Sequence, residues 1–401
     1  MRNTKFGILI GMLFMLASCV EEYQVPKEAA ASYESQLVIE GRILSGDESI
    51  IYLSNSVPFG QVERPEAVLN ADITIIGQNG YESSKAEFDI ENDRYVIPTH
   101  DLPLNTLYAL KVEVDGEIYQ SDFQTIQPAK EIDNIYYKEG DNSISIYVSS
   151  HGDENDSNYY MWTYEEDWEF HVDIDITAPT QSHWMYNIAK MPGLVTGGKN
   201  PYYYCWSHDD SGLIHIYSTD NLSQNTIRDY KLLEIPLDDI RVSYIYSILV
   251  KQSGLNEANY EYFRIQKLYS EESGGLFAPM PAELKGNIQC ISNPDNKVHG
   301  YVIASEVVSK RIFIYESELY QKDTFVGCTT AEGIESPTYD HYLTWTSIWK
   351  SEVYENGAAI LNTEKNVLAP TSVLFHRSCV DCRAVEGATK KRPDFWPNNH
   401  E

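Results

Sequence analysis

Hydrophobic positions divide the chain into one unbroken apolar run at its start and a long series of short alternating runs after it. From Gln36 onward the alternation has a period of two, the spacing of a half-buried strand. Leu37, Ile39, Gly41 and Ile43 fall on one side of the first run. Ser49 to Ser54 (SIIYLS) follows Gly46-Asp47, Ala71 to Gly77 (ADITIIG) runs into Asn79-Gly80, and Arg94 to Ile97 stops at Pro98. Leu107 to Val114 (LYALKVEV) meets Asp115-Gly116 before Ile118 to Phe123 continues. Asn-Gly and Asp-Gly supply the positive φ angles that tight hairpins need. Six or seven short strands in roughly 90 residues predict a small β-sandwich over 36–128.

The region 129–401 is also β-rich. Ile132 to Lys138 and Ser143 to Ser149 (SISIYVS) read as strands, and Tyr159 to Ile176 is the longest β-like run, with Trp162, Tyr164, Glu166 and Trp168 on one side. Leu213 to Tyr217, Arg241 to Lys251, Lys297 to Glu306, Arg311 to Glu316 and Ser372 to Phe375 are further predicted strands, with a break at Ser309-Lys310. Asn256 to Ser270 changes period. Ala258, Tyr262, Ile265 and Tyr269 recur at helical spacing behind a capping Asn256, which predicts one helix. Thr180 to Asp210 is irregular and aromatic and reads as an insertion or long loop.

The initial run, Phe6 to Ala17, follows Arg2 and Lys5 and ends within Leu16-Ala17-Ser18-Cys19. A basic start, a short apolar run and small residues make a secretory signal, and the run falls short of the ~20 apolar residues of a spanning helix. Cysteine directly after Leu-Ala-Ser resembles the bacterial lipobox. Residues 1–18 would then be removed, leaving Cys19 acylated and held in outer-membrane lipid. Val20-Glu21-Glu22 is similar to an acidic surface-export signal, and 19–35 reads as a tether.

Loss of Arg2 and Lys5 with the leader, and of no acid, moves the formal charge from −30 to −32. That balance argues against nucleic acid, which demands a basic footprint, and against a basic patch for anionic lipid. The 30 Tyr and 7 Trp suit strands and binding surfaces alike. Besides Cys19 there are Cys205, Cys290, Cys328, Cys379 and Cys382, an odd set that allows at most two bridges. Cys379-x-x-Cys382 would fit half a zinc site, a redox pair or a bridge; an exported setting favours the bridge. His171 and Asp173, two apart on a strand, could reach one ion, but a wet strand face is the preferred reading. The chain carries no Gly-x-Ser-x-Gly, no His-Glu-x-x-His, no phosphate loop and no dinucleotide fingerprint. The expectation is no catalysis, no cofactor and no metal.

Across the chain stand Leu37-Val-Ile-Glu-Gly41, Cys205-Trp206, Ala258-x-Tyr260, Pro281 with Gly286-Asn287-Ile288, Gly300-Tyr301, Lys310-Arg311, Cys328, Cys379-x-Asp-Cys382-Arg383 and Pro393-x-Phe395-Trp396. In this order, behind a lipobox, they resemble the Bacteroidetes lipoprotein family called domain of unknown function 4249. The resemblance implies an immunoglobulin- or transthyretin-like sandwich. A larger β-rich domain with a fibronectin III-like core, insertions and one helix would follow. It also implies an outer-membrane lipoprotein paired with a TonB-dependent barrel transporter, and it carries over no catalytic residue. Function is therefore expected to be binding of a small ligand, glycan or peptide, or service to that transporter. A glycan-binding adhesin would use Trp184, Tyr186, Tyr203 and Trp206 as stacking faces; a surface hydrolase ranks below both.

Overall fold

A computed structural model describes residues 34–57, 65–153, 156–172, 202–211, 214–272, 284–320, 358–362, 372–376 and 381–397. Cys19, Trp184, Tyr186, Cys328 and Cys379 lie outside them. The first half contributes β1 (Leu37–Ser45), β2 (Glu48–Asn55), β3 (Asp72–Gly77), β4 (Glu87–Asp89), β5 (Arg94–Pro98), β6 (Leu107–Val114), β7 (Glu117–Ser121) and β8 (Gln124–Thr125). Then come β9 (Ile132–Glu139), β10 (Ser143–His151), β11 (Tyr159–His171), β12 (Tyr204–Asp210), β13 (His215–Ser218), β14 (Thr226–Pro236), β15 (Ile245–Leu255) and the helix α1 (Glu257–Glu272). β16 (Ile288–Cys290), β17 (Val298–His299), β18 (Val302–Tyr315), β19 (Ala358–Asn362) and β20 (Ser372–His376) follow. The protein is mainly β. No helix among the described residues is long and apolar enough to cross a membrane.

One ten-stranded sheet runs β12-β11-β15-β18-β1-β2-β5-β4, with β13 and β17 beside it. A five-stranded sheet, β16-β7-β6-β3 with β8, covers one end of it, and the three-stranded sheet β14-β10-β9 covers the other. The alternation along β1 explains the first core. Ile39 and Ile43 are fully buried against Ile73, Leu110 and Val112, together with Val302 and Ala304 of β18. The second core sets Ile144, Ile146 and Ile235 against Trp162, Tyr246 and Ile248. Trp162 is fully buried, and its indole N–H donates to Gln252 Oε1 at 2.7 Å, so the polar tip is satisfied.

β1 lies antiparallel to β2 but parallel to β18, from Gly41 opposite Val302 to Ser45 opposite Glu306. Gly300, at φ +105°, permits this approach, because a Cβ there would stand 2.0 Å from the Ile39 carbonyl oxygen.

Four local expectations change. Arg241 does not begin a strand: Ile240–Val242 is a short 3₁₀ turn, because the Asp239 carboxylate accepts from the Arg241 amide at 2.9 Å, and the strand starts at Ile245. Lys297 to Glu306 and Arg311 to Glu316 are not separate strands meeting at a turn. Val302–Tyr315 is continuous, with Ser309 and Lys310 paired to Lys251 and Val250 of β15. Tyr204–Asp210 is not loop; it pairs along β11 from Glu165 to His171. β14, which the sequence pattern does not single out, pairs with β10. The helix forms where the period changes, with Asn256 Oδ1 accepting from the Asn259 amide at 2.8 Å.

Candidate binding cleft

Six strand steps separate β12 from β5 in the large sheet. In a flat sheet they would lie about 29 Å apart, at ~4.8 Å per step. Yet Arg94 of β5 and Asp210 of β12 meet at 3.3 Å. The sheet is therefore rolled until its two sides touch, and the roll encloses a cleft of about 530 Å³ including its open mouth.

The inward positions follow from strand alternation. On β1, Ile39 and Ile43 serve the first core, so Arg42 and Leu44 face the cleft. β2 adds Ile50 and Tyr52, β11 adds Thr163 and Glu165, and β15 adds Lys251 and Ser253. Asp47, in the turn between β1 and β2, completes the charged lining.

Most of these charges are committed to one another. Lys251 Nζ stands 2.6 Å from both Asp47 and Glu165. Burial works against its charge, but Glu165 and Asp47 outweigh burial and hold its pKa above the usual lysine value. Arg94 pairs with Asp89 and Asp210, each at 3.3 Å. A hydrogen bond from His208 holds Asp210 below the usual carboxylate range, helped by the charges of Arg94 and Lys251. His208 continues the network outward: its Nδ1 lies 2.8 Å from Asp167, whose other oxygen accepts from Arg311 at 2.7 Å. Between Asp167 and Asp210 the His208 pKa is pushed up to about 10. Arg42 differs. Among the described residues its side chain makes no hydrogen bond or ion pair, and burial pushes its guanidinium below the ordinary arginine value.

Sequence reasoning missed this cleft. Its one signal was Arg42, charged and on the Glu40 side of the alternating run Leu37–Ser45, which alternation alone assigns to a wet face. Glu165 and Glu166, adjacent acids that suggested no role, point to opposite faces. Glu165 lines the cleft, while Glu166 is buried in the other layer, accepting from Tyr246 at 2.6 Å and Arg241 at 3.0 Å.

The aromatic candidates divide. Trp206 is only 8% exposed and packs with Ile245 and Trp396, so it is core and not a stacking face. Tyr203 is half-buried and stacks on His171, ring centroids 5.0 Å apart. His171 Nδ1 lies 2.9 Å from the Val172 carbonyl oxygen, and Asp173 lies outside the described residues. Among the described residues no three His, Cys, Asp or Glu side chains are grouped to hold a metal.

The cysteines require a correction. Cys382 does not bridge to Cys379. It bonds to Cys205, with the Cα atoms 5.7 Å apart, because the segment from Asp381 lies along β12. The Trp206 amide donates to the Thr389 carbonyl at 2.9 Å, and the Thr389 amide donates to the Trp206 carbonyl at 2.7 Å. Cys290 is a free, buried thiol beside Tyr119.

Residues 20–311 match the family model described as Domain of unknown function (DUF4249). The chain belongs to this family. No curated protein matches it. The DUF4249 span contains the whole lining of the cleft, from Arg42 to Val307, whereas Cys382 and Trp396 fall beyond it.

Proposed function

We propose that this DUF4249 chain is a lipid-anchored, non-catalytic binding protein of the outer membrane. It is displayed on the cell surface, takes a small ligand in the rolled-sheet cleft and serves a TonB-dependent transporter. The observation that carries the binding role is the cleft itself: a concave, charged recess with its ion pairs already set, built on strands from both halves of the chain. Such prearranged polar groups suit recognition, because little ordering remains to be done when ligand enters. Leu16-Ala17-Ser18-Cys19 and the following Glu21-Glu22 support the anchor and its outward display. The test is affinity purification of the tagged, lipidated protein from gently solubilised outer membranes, with mass spectrometry of what accompanies it. A TonB-dependent barrel at about equal stoichiometry is expected; recovery of the lipoprotein by itself at full yield would overturn the transporter role.

A further inference from the structure

We propose that the cleft takes the carboxylate of a small monoanionic ligand, and that Arg42 is the group that receives it. The inference rests on the cleft being the binding place and adds the chemistry of the ligand.

Three cations line the cleft, and two are spoken for. Lys251 holds Asp47 and Glu165, and Arg94 holds Asp89 and Asp210. Arg42 lines the same space, and among the described residues its guanidinium, a five-donor group, has no hydrogen-bond or ion-pair partner. A guanidinium withdrawn from bulk water gains most from a charged acceptor at contact distance. The carboxylates within its field, Asp47 and Asp210, are engaged elsewhere.

Those same acids select the class of anion. A dianion such as phosphate at Arg42 would stand among Asp47, Glu165 and Asp210, whose three charges outweigh the two of Arg94 and Lys251. A single charge on a planar, two-oxygen group matches the Arg fork and meets less repulsion. Beyond the carboxylate, the hydroxyls of Thr163 and Ser253 suit a polar body, and Leu44, Ile50 and Val307 suit a short apolar one. The recess is small and open on one side, which excludes a large polymer from this position.

The test titrates the full-length protein in detergent and chloride buffer with sodium acetate, propionate and lactate, and with phosphate at equal ionic strength, by calorimetry. Saturable monocarboxylate binding is expected, tighter than phosphate. Arg42→Gln should weaken it roughly tenfold to a hundredfold, the worth of a charge-assisted bidentate pair, and Arg42→Lys should retain part of it. Because a variant in this wall could fold poorly, a second measurement uses the wild type: phenylglyoxal labelling of Arg42, read by peptide mass spectrometry, should slow in acetate. Absence of saturable binding, equal binding by a folded Arg42→Gln protein, preference for phosphate, or labelling indifferent to acetate would each overturn the proposal. Failures of the two readings are distinguishable. A lipoprotein that binds acetate through Arg42 but brings down no barrel removes only the transporter role. One that brings down a barrel and ignores carboxylates removes only the inference drawn here.

Discussion

Replacing both Cys205 and Cys382 with alanine should destabilise the protein by about 3–5 kcal/mol, mainly through the unfolded state. Both must change, because Cys379 stands three residues from Cys382 and would inherit Cys205 as a partner. The bridge joins residues 177 apart in sequence. Closing a loop of that size removes about 17 cal/mol/K of chain entropy, or ~5 kcal/mol at 25 °C, with measured values usually falling short of the model. The folded state loses little else, because the carboxyl-terminal segment has other holds. Trp396 is 3% exposed, its indole N–H donates to Glu169 at 2.8 Å, and two backbone hydrogen bonds join Trp206 to Thr389. The segment should therefore stay docked in the variant. The assay is equilibrium urea unfolding of the full chain by tryptophan fluorescence. A lower midpoint is expected, together with a steeper slope, since an unfolded chain without the cross-link exposes more surface. A loss below about 1 kcal/mol would refute the loop argument. So would an unchanged midpoint with proteolytic release of residues 381–397 from the folded protein, which would make the bridge the main attachment of that segment.

Two histidines should bend the stability–pH curve in opposite directions. Burial holds the His215 pKa below its usual 6.5, with Nε2 unpartnered among the described residues. The unfolded chain then binds this proton first, so stability present above pH 6.5 is lost as pH falls below it. His208, pushed up to about 10, binds its proton more tightly when folded; its contribution is full below pH 6.5 and is lost as pH rises from there through about 10. His208→Gln should flatten the alkaline limb of a urea-midpoint profile and leave the His215 part of the acid limb; an unaltered alkaline limb would refute the assignment. Asn256→Ala should cost ~1 kcal/mol by removing the helix cap, and a midpoint equal to wild type would count against it. Gly300→Ala should cost roughly 2–6 kcal/mol, combining positive φ with a clash on Ile39. Gly116→Ala, also at positive φ but with nothing within 4 Å, should cost only ~1 kcal/mol. Equal losses in the two glycine variants would show that the close approach of β1 and β18 is not what Gly300 permits.

What could be read from the chain was local. Asp115-Gly116 announced a hairpin and formed one, with φ of 52° and 81°. Asn256 announced a helix start, and alternation along β1, β2, β3 and β6 announced strands, because each signal lies within a few residues of what it controls. Pairing over long distances left no such mark. That β1 lies beside β18, some 260 residues later, depends on which apolar faces meet after collapse. Ser309-Lys310 reads as a turn by composition, yet partners on β15 hold it extended, and Lys310 Nζ donates to the Asp133 carbonyl at 2.7 Å. The polar end of Tyr204–Asp210 reads as loop because part of its demand for cations is met by Arg94, from the far side of the roll. Arg42 looks like any surface charge until the roll closes over it.

The seam between the two halves is built as a joint without slack, and this bears on how the cleft works. Val302 and Ala304 of β18 complete the first core, while Ile314 of the same strand belongs to the second. The connecting chain is fastened along that strand: the Gln127 amide donates to the Ala304 carbonyl at 3.1 Å, the Ala129 amide to the Glu306 carboxylate at 2.9 Å, and Lys310 reaches the carbonyls of Ile132 and Asp133. A hinge at 128 would have to break these bonds and divide a single strand. Arg42, Asp47, Tyr52 and Arg94 are therefore held at a set distance from Thr163, Glu165 and Lys251. A cleft with its two walls on one continuous sheet does not close on a ligand by domain motion. On the proposed binding role, affinity would come from groups already in place, and among the described residues the lining cation without a side-chain partner is Arg42.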